Sequence, residues 1–199
     1  MNLRIVTSPT FEPVSMLEVF QHCRIDGDPE DPPEFEAGIL PVYIQAAREH
    51  AEAHTGLVLT DAVYQLRVDA FCDPLPLPVS PVGSIASLRY IDADGVEQLL
   101  DDAAYWLDDD PGAPSVRPVY GSSWPDARDD VGAIRINFQA PYVASDSTAA
   151  VPASIKQAML LMIGHWYENR EQVVLGTIAT QVPMGASMLL DFCRWSPRI

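Results

Sequence analysis

Lysine is nearly absent from this chain: Lys156 is the single lysine among twelve basic side chains, and twenty-eight acidic residues stand against them. The formal charge of -16 and a pI near 4.3 have the wrong sign for gripping phosphate backbones by counterion release, so ordinary nucleic-acid binding is disfavoured. Cysteine is scarce too. Cys23, Cys72 and Cys193 are odd in number, far apart and form no C-x-x-C, which excludes a disulfide framework and a zinc clip and leaves them as expected buried thiols. No apolar run approaches the ~18 to 20 residues of a membrane span. Met1 to Thr10 lacks the basic start and apolar stretch of a signal peptide, so a cytoplasmic start is expected. With 48% hydrophobic and 20% charged residues the composition excludes wholesale disorder and a coiled-coil rod. At 199 residues and 21.9 kDa the chain can bury a sizeable core unaided.

Helical periodicity frames the chain. Ser15 with Glu18 forms an S-x-x-E capping box ahead of Met16, Val19, Phe20 and Cys23, which predicts a short first helix ending near Ile25. Asp26 to Pro33 stacks acids and turn formers into a solvated loop. A second helix is predicted from about Ile39 to Thr55, with Pro41 in its first turn and Gly56 as its stop. From Leu57 to Val143 the period changes to two. Tyr64, Leu66, Val68 and Ala70 alternate with Gln65, Arg67 and Asp69; Ile85 to Ile91 and Val96 to Leu100 flank an Asp92 to Gly95 turn in which Gly95 is free to take a positive φ. Tyr105 to Leu107, Val116 to Tyr120 and Ala133 to Phe138 are further strand candidates. Pro152 opens a long third helix, Ala153 to about Val174, with Ile155, Met159, Met162, Ile163, Trp166 and Tyr167 inward. A link, Leu175 to Pro183, leads to a last amphipathic segment, Met184 to Trp195, in which Met188, Leu189, Phe192 and Trp195 are spaced for one face. The expected class is α+β: a helical body of about four helices, residues 1–56 and 150–199, with a small antiparallel β unit, 57–149, inserted into it.

Candidate chemistry is thin. His50 and His54 lie four apart on a predicted helix near Glu49 and Glu52, a spacing at which two imidazoles can share a metal, but no H-E-x-x-H or third ligand accompanies them. Asp101-Asp102, Asp108 to Asp110 and Asp129-Asp130 are acids of the kind that hold divalent ions, yet each lies in turn-like sequence without a spaced ligand loop. No G-x-S-x-G, Walker-type loop or G-x-G-x-x-G occurs, so nucleophilic catalysis and nucleotide binding lack support. Trp124 in YGSSWP is read as a loop anchor for packing or a subunit contact. Trp166, Tyr167 and Arg170 read as a core stripe with a snorkelling arginine, or as a cation-π cluster. Phe192, Arg194, Trp195 and Arg198 join large aromatics to arginine, the types enriched at interface hot spots.

PTFEPVSMLEVFQHCRID, QAAREHAEAHTG, YIDADGVEQ, YGSSWP and above all VPASIKQAMLLMIGHWYENRE, in this order and spacing, resemble the head-tail connector (adaptor) proteins of long-tailed bacteriophages, prophages and gene transfer agents. The resemblance runs over nearly the whole chain. It implies a structural, non-enzymatic subunit of the virion neck, assembled in the host cytoplasm, without cofactor or membrane contact. Its implied partners are the portal protein, head-tail stopper or tail-terminator proteins, and its own copies in a ring of roughly a dozen, through whose lumen DNA passes without sequence-specific binding. The family's portal-engaging C-terminal segment would map onto Met184 to Ile199, with Leu189, Phe192, Arg194, Trp195 and Arg198 as contacts; Trp124, Trp166, Tyr167 and Arg170 would serve ring and body packing. DGDPEDPPEFEAG is longer and more acidic than the link expected between the first two helices, and would face a neighbour, the lumen or solvent. An acidic lumen would let the duplex slide, and neutralising its acids is then expected to slow ejection or packaging. The alternative class is a small metal-dependent hydrolase or nuclease built on His50, His54 and the acidic turns; metal analysis separates the two.

Overall fold

The computed structural model describes residues 2–7, 9, 11–110, 112–140, 151–169 and 184–195. It is an α+β protein of helices and antiparallel sheets whose chain divides into two compact units. One holds the described residues of Met1–Phe11, Thr60–Ser145 and Trp195–Ile199, the other those of Glu12–Leu59 and Asp146–Arg194.

In the helical unit, α1 (Met16–Cys23) starts where its capping box places it: Ser15 Oγ accepts from the Glu18 amide, and Glu18 accepts in return from the Ser15 amide at 2.8 Å. Helix α2 (Glu34–Thr55) begins five residues before the expected Ile39 and ends as expected at Gly56, whose φ of 73° suits the left-handed stop. Glu34 and Glu36 in its first turn complement the helix dipole, so the second half of the acidic stretch is helical. Pro41 therefore sits in the second turn, not the first. Helix α3 (Ala153–Glu168) buries Ile155, Ala158, Met159, Met162 and Ile163; the rest of the predicted third helix, 170–174, and the link 175–183 lie outside the described residues. Helix α4 is Met184–Asp191. Val19, Phe20, Leu40, Ile44, Ala47 and Ala51 join α3 and Leu190 in one apolar core, a cluster whose alanines let helices approach closely while the methionines fill the irregular gaps.

The other unit holds β1 (Asn2–Thr7), β2 (Ala62–Val68), β3 (Leu75–Pro76), β4 (Ser84–Ile91), β5 (Glu97–Leu99), β6 (Tyr105–Asp108), β7 (Ser115–Pro118) and β8 (Ile134–Ala140). Antiparallel ladders give a five-stranded sheet ordered β1-β2-β8-β4-β5 and a three-stranded sheet ordered β3-β7-β6. Strand β1, which carries no periodic signal in the sequence, pairs along β2 from Asn2 opposite Arg67 to Thr7 opposite Val63. The inner face of the larger sheet is apolar: Ala62, Tyr64, Leu66, Leu88, Ile134, Ile136, Phe138 and Ala140 are buried, and Tyr64 stacks on its cross-strand partner Phe138 at 5.8 Å. The Asp92 to Gly95 turn closes the β4-β5 hairpin with Gly95 at φ 85°, as predicted. Among the described residues no helix is long and apolar enough to cross a membrane.

Candidate interaction surfaces

Helix α4 fixes the C-terminal surface. Ala186 and Leu190, four apart, are fully buried, and Leu189 and Cys193 lean on the same core. Met184, Met188 and Phe192, also four apart, turn outward and are 78%, 59% and 84% exposed. The expected single face of Met188, Leu189, Phe192 and Trp195 is thus two: Leu189 packs inward while Met188 and Phe192 face out. At 100° per residue, Met188 and Phe192 follow each other while Leu189 is a quarter turn away; the small Ala186 with the large Leu190 decides which side docks. Arg194 is exposed and Trp195 half-buried. Arg198, like Arg170, lies outside the described residues. A stripe of two methionines and a phenylalanine on the solvent side of a helix is the kind of surface that a partner covers.

The remaining predicted residues are held within their own units. Trp166 packs against Tyr43 at 5.9 Å, and the Tyr167 hydroxyl donates to Glu36 at 3.1 Å. Trp124 lies face to face with Phe71 at 4.7 Å and donates its ring N–H to the Cys72 carbonyl at 2.9 Å, anchoring the YGSSWP loop inside the β unit. The thiol of Cys72 is in an exposed residue and those of Cys23 and Cys193 in half-buried ones, so the expectation of three buried thiols is corrected. These cysteines flank turns and helix ends, where packing closes on one side only.

His50 stacks on His54 with 6.3 Å between rings, but His54 Nε2 is engaged by Asp191 at 2.8 Å, which ties α2 to α4. Glu49 accepts from Gln45, and Glu52 from Arg48 and the Leu59 amide. Among the described residues no three His, Cys, Asp or Glu side chains converge as metal ligands. The aspartate runs serve their own turns: Asp101 accepts from the Ala103 amide, Asp110 from Gly112 and Asp130 from Val131. Burial, then the acceptor Asp102, raises the Tyr105 hydroxyl pKa above its usual value.

Two polar features carry no sequence motif. The first is Arg48, whose side chain is 6% exposed and binds Glu12 at 2.9 Å and Glu52 at 3.0 Å. Burial opposes its charge, but Glu12 and Glu52 outweigh this and hold its pKa above the ordinary value. Burial pushes Glu52 above the usual carboxylate value, against the Leu59 amide and Arg48, which favour its charged form.

The second is the outer face of the five-stranded sheet. Register sets Arg67, Arg135 and Arg89 directly opposite one another on β2, β8 and β4, with Arg4 of β1 opposite Gln65 in the adjacent row. Gln65, Asn137 and Ser87 run beside them as a hydrogen-bonded ladder at 2.9 and 3.0 Å. Glu97 bridges Arg135 at 2.7 Å and Arg89 at 3.5 Å, offsetting the repulsion of arginines set side by side. Arg67 lies over Gly132, where an added Cβ would come within 2.9 Å of its Nη2. Its Nε is buried without a hydrogen-bond partner among the described residues. The alternation of β2 and β8 marks these positions as outward-facing in the sequence; which strand pairs with which, and so the row itself, is not written there.

No protein-family model and no curated protein matches the chain. Solved structures do. The whole chain is similar to 98% of a chain in the neck of an empty gene transfer agent (GTA) particle computed with C6 symmetry, at 25% identity and a TM-score of 0.78. Equally complete is its similarity to a chain of the virion of a native gene transfer agent particle, at 27% identity and a TM-score of 0.77. A third, from the neck of a native GTA particle computed with C12 symmetry, has 25% identity and a TM-score of 0.71. Both units of this chain thus find their counterparts within single chains of particle necks.

Proposed function

We propose that the chain is a structural subunit of the neck of a virion or gene transfer agent particle: a head-tail adaptor whose copies form a ring beneath the portal, extend the DNA channel and join head to tail. The observation that carries this reading is end-to-end similarity to neck chains at a TM-score of up to 0.78. The sixfold and twelvefold symmetries of those necks support a ring of several copies. The net charge of -16 suits a conduit through which a polyanion slides. Portal contact falls to the C-terminal segment: the outward stripe of Met184, Met188 and Phe192, held to the helical core by Leu189, and the residues Arg194, Trp195 and Arg198 that follow it in sequence. Large apolar and arginine side chains presented together are what an interface core recruits.

The test is co-sedimentation with the portal protein of the same gene cluster, followed by negative-stain microscopy. A ring of added density at the narrow end of the portal is expected. Among the described residues, the segment Phe192 to Ile199 holds none of the fully buried core side chains, and deleting it is expected to leave a folded protein that no longer sediments with the portal. Intact portals that never bind the full chain at any salt concentration would overturn the adaptor role, and a truncated chain that still docks would overturn the assignment of the tail.

A further inference from the structure

The docking stripe of α4 leaves the arginine row unused. Arg4, Arg67, Arg89 and Arg135 place four of the chain's twelve basic residues on one sheet face. We infer that this face is a contact between copies, in which the row on one subunit receives the acidic segment Asp26 to Glu34 of the next. The inference rests on the reading of the chain as a ring-forming neck subunit and names the surfaces that close the ring.

Charge complementarity picks the occupant. Asp26, Asp28, Glu30, Asp31 and Glu34 are exposed, crowd into nine residues, and none is ion-paired among the described residues. The segment is also stiff. Asp28 Oδ1 accepts from the Glu30 amide at 2.9 Å, Asp28 and Asp31 bridge, and Pro29, Pro32 and Pro33 restrict the backbone, so little conformational freedom is lost on docking. A ring is built from heterologous contacts, each copy offering two different, mutually complementary faces. Subunits of charge -16 repel one another unless opposite charges meet where they touch. The row fits in size: three strands about 4.8 Å apart span roughly 10 Å, within reach of a tight turn. A nucleic-acid backbone fits less well, because Glu97 between Arg89 and Arg135 sets a carboxylate where a phosphate would lie.

Charge exchange in assembling particles tests this. Arg4 and Arg89 are exposed, as are Glu30 and Asp31, so the paired variants R4E/R89E and E30R/D31R leave both cores intact. Each pair alone is expected to lower the amount of chain in purified particles, read by quantitative mass spectrometry, by more than about tenfold, since like charges then face each other. Joining all four substitutions in one chain restores opposite charges at every contact, and mixing the two variants restores them wherever the two alternate around the ring; both are expected to recover incorporation. Independently, R89C with E30C is expected to give a disulfide-linked ladder in particles that neither single cysteine variant gives. Wild-type incorporation by either pair, or loss that neither mixing nor the fourfold variant repairs, overturns the inference while leaving the neck reading in place; the second pattern, with DNA retention lost, would mark the row as a nucleic-acid contact. A wild-type chain absent from particles is the separate result that removes the neck reading, and this inference with it.

Discussion

The two units bury their charges differently. The helical unit carries Arg48 into its interior and must surround it with Glu12 and with Glu52, itself held by the Leu59 amide; the five-stranded sheet of the β unit keeps Arg4, Arg67, Arg89 and Arg135 on its outer face and leaves the inner one to Tyr64, Leu66, Ile136 and Phe138. The difference follows from the backbone. Sheet strands join distant segments by their own ladders, so side chains are free to sort into a dry face and a wet one. Helices satisfy their backbones internally, so the joining of 12–59 to 151–194 falls to side chains, among them Lys156 with Glu18 at 3.1 Å and His54 with Asp191.

The sharpest way to separate the units is to wound each in turn and follow hydrogen exchange in both. Phe138→Ala, which empties a fully buried ring site beside Tyr64, is expected to cost about 4 kcal/mol and to raise exchange first in β2, β4 and β8. Arg48→Ala leaves Glu12 and Glu52 facing each other without a counter-charge and is expected to cost about 3 kcal/mol, with exchange rising in α2. Equal loss of protection throughout the molecule after either change would show that the two units open together and are not energetically distinct. Ser15→Ala removes the acceptor for the Glu18 amide and is expected to cost about 1 kcal/mol, confined to α1.

The smallest effect concerns pH. Glu52 is held above its ordinary value by burial, so the folded state favours its protonated form; its contribution to stability is fullest below the unfolded value and fades as pH rises through the raised one. Relative to Glu52→Gln, the wild-type helical unit is therefore expected to lose stability as pH climbs from about 4.5, measured by thermal melts across that range. A wild type that gains on the variant over the same range would mean that attraction to Arg48 outweighs burial.

Local signals were legible in the sequence and long-range ones were not. The Ser15-Glu18 box, the Gly56 stop and the Asp92 to Gly95 hairpin depend on residues within a few positions of one another, and all three appear where the spacing puts them. The start of α2 was misplaced because Pro29, Pro32 and Pro33 read as turn formers, while Pro33 in fact stands at the N-cap and the following acids favour a helix N-terminus. Strand β1 escaped because Leu3 and Ile5 are too few to show a period, and their partners, Leu66 and Tyr64, lie some sixty residues away. The tail's residue types were legible, but a helix of eight residues has two sides of similar hydrophobicity, and the choice of Ala186 and Leu190 for the core belongs to the packing of α3 and α4. The arginine row needed the register of three strands, which no local pattern contains.

The most direct test of the neck assignment is a cyclically averaged cryo-EM reconstruction of the neck of particles carrying this chain. A ring of copies, each holding the helical unit and the five-stranded sheet, is expected, set against the portal. A fully resolved neck with no density for this fold, in particles whose protein content also lacks the chain, would contradict the assignment.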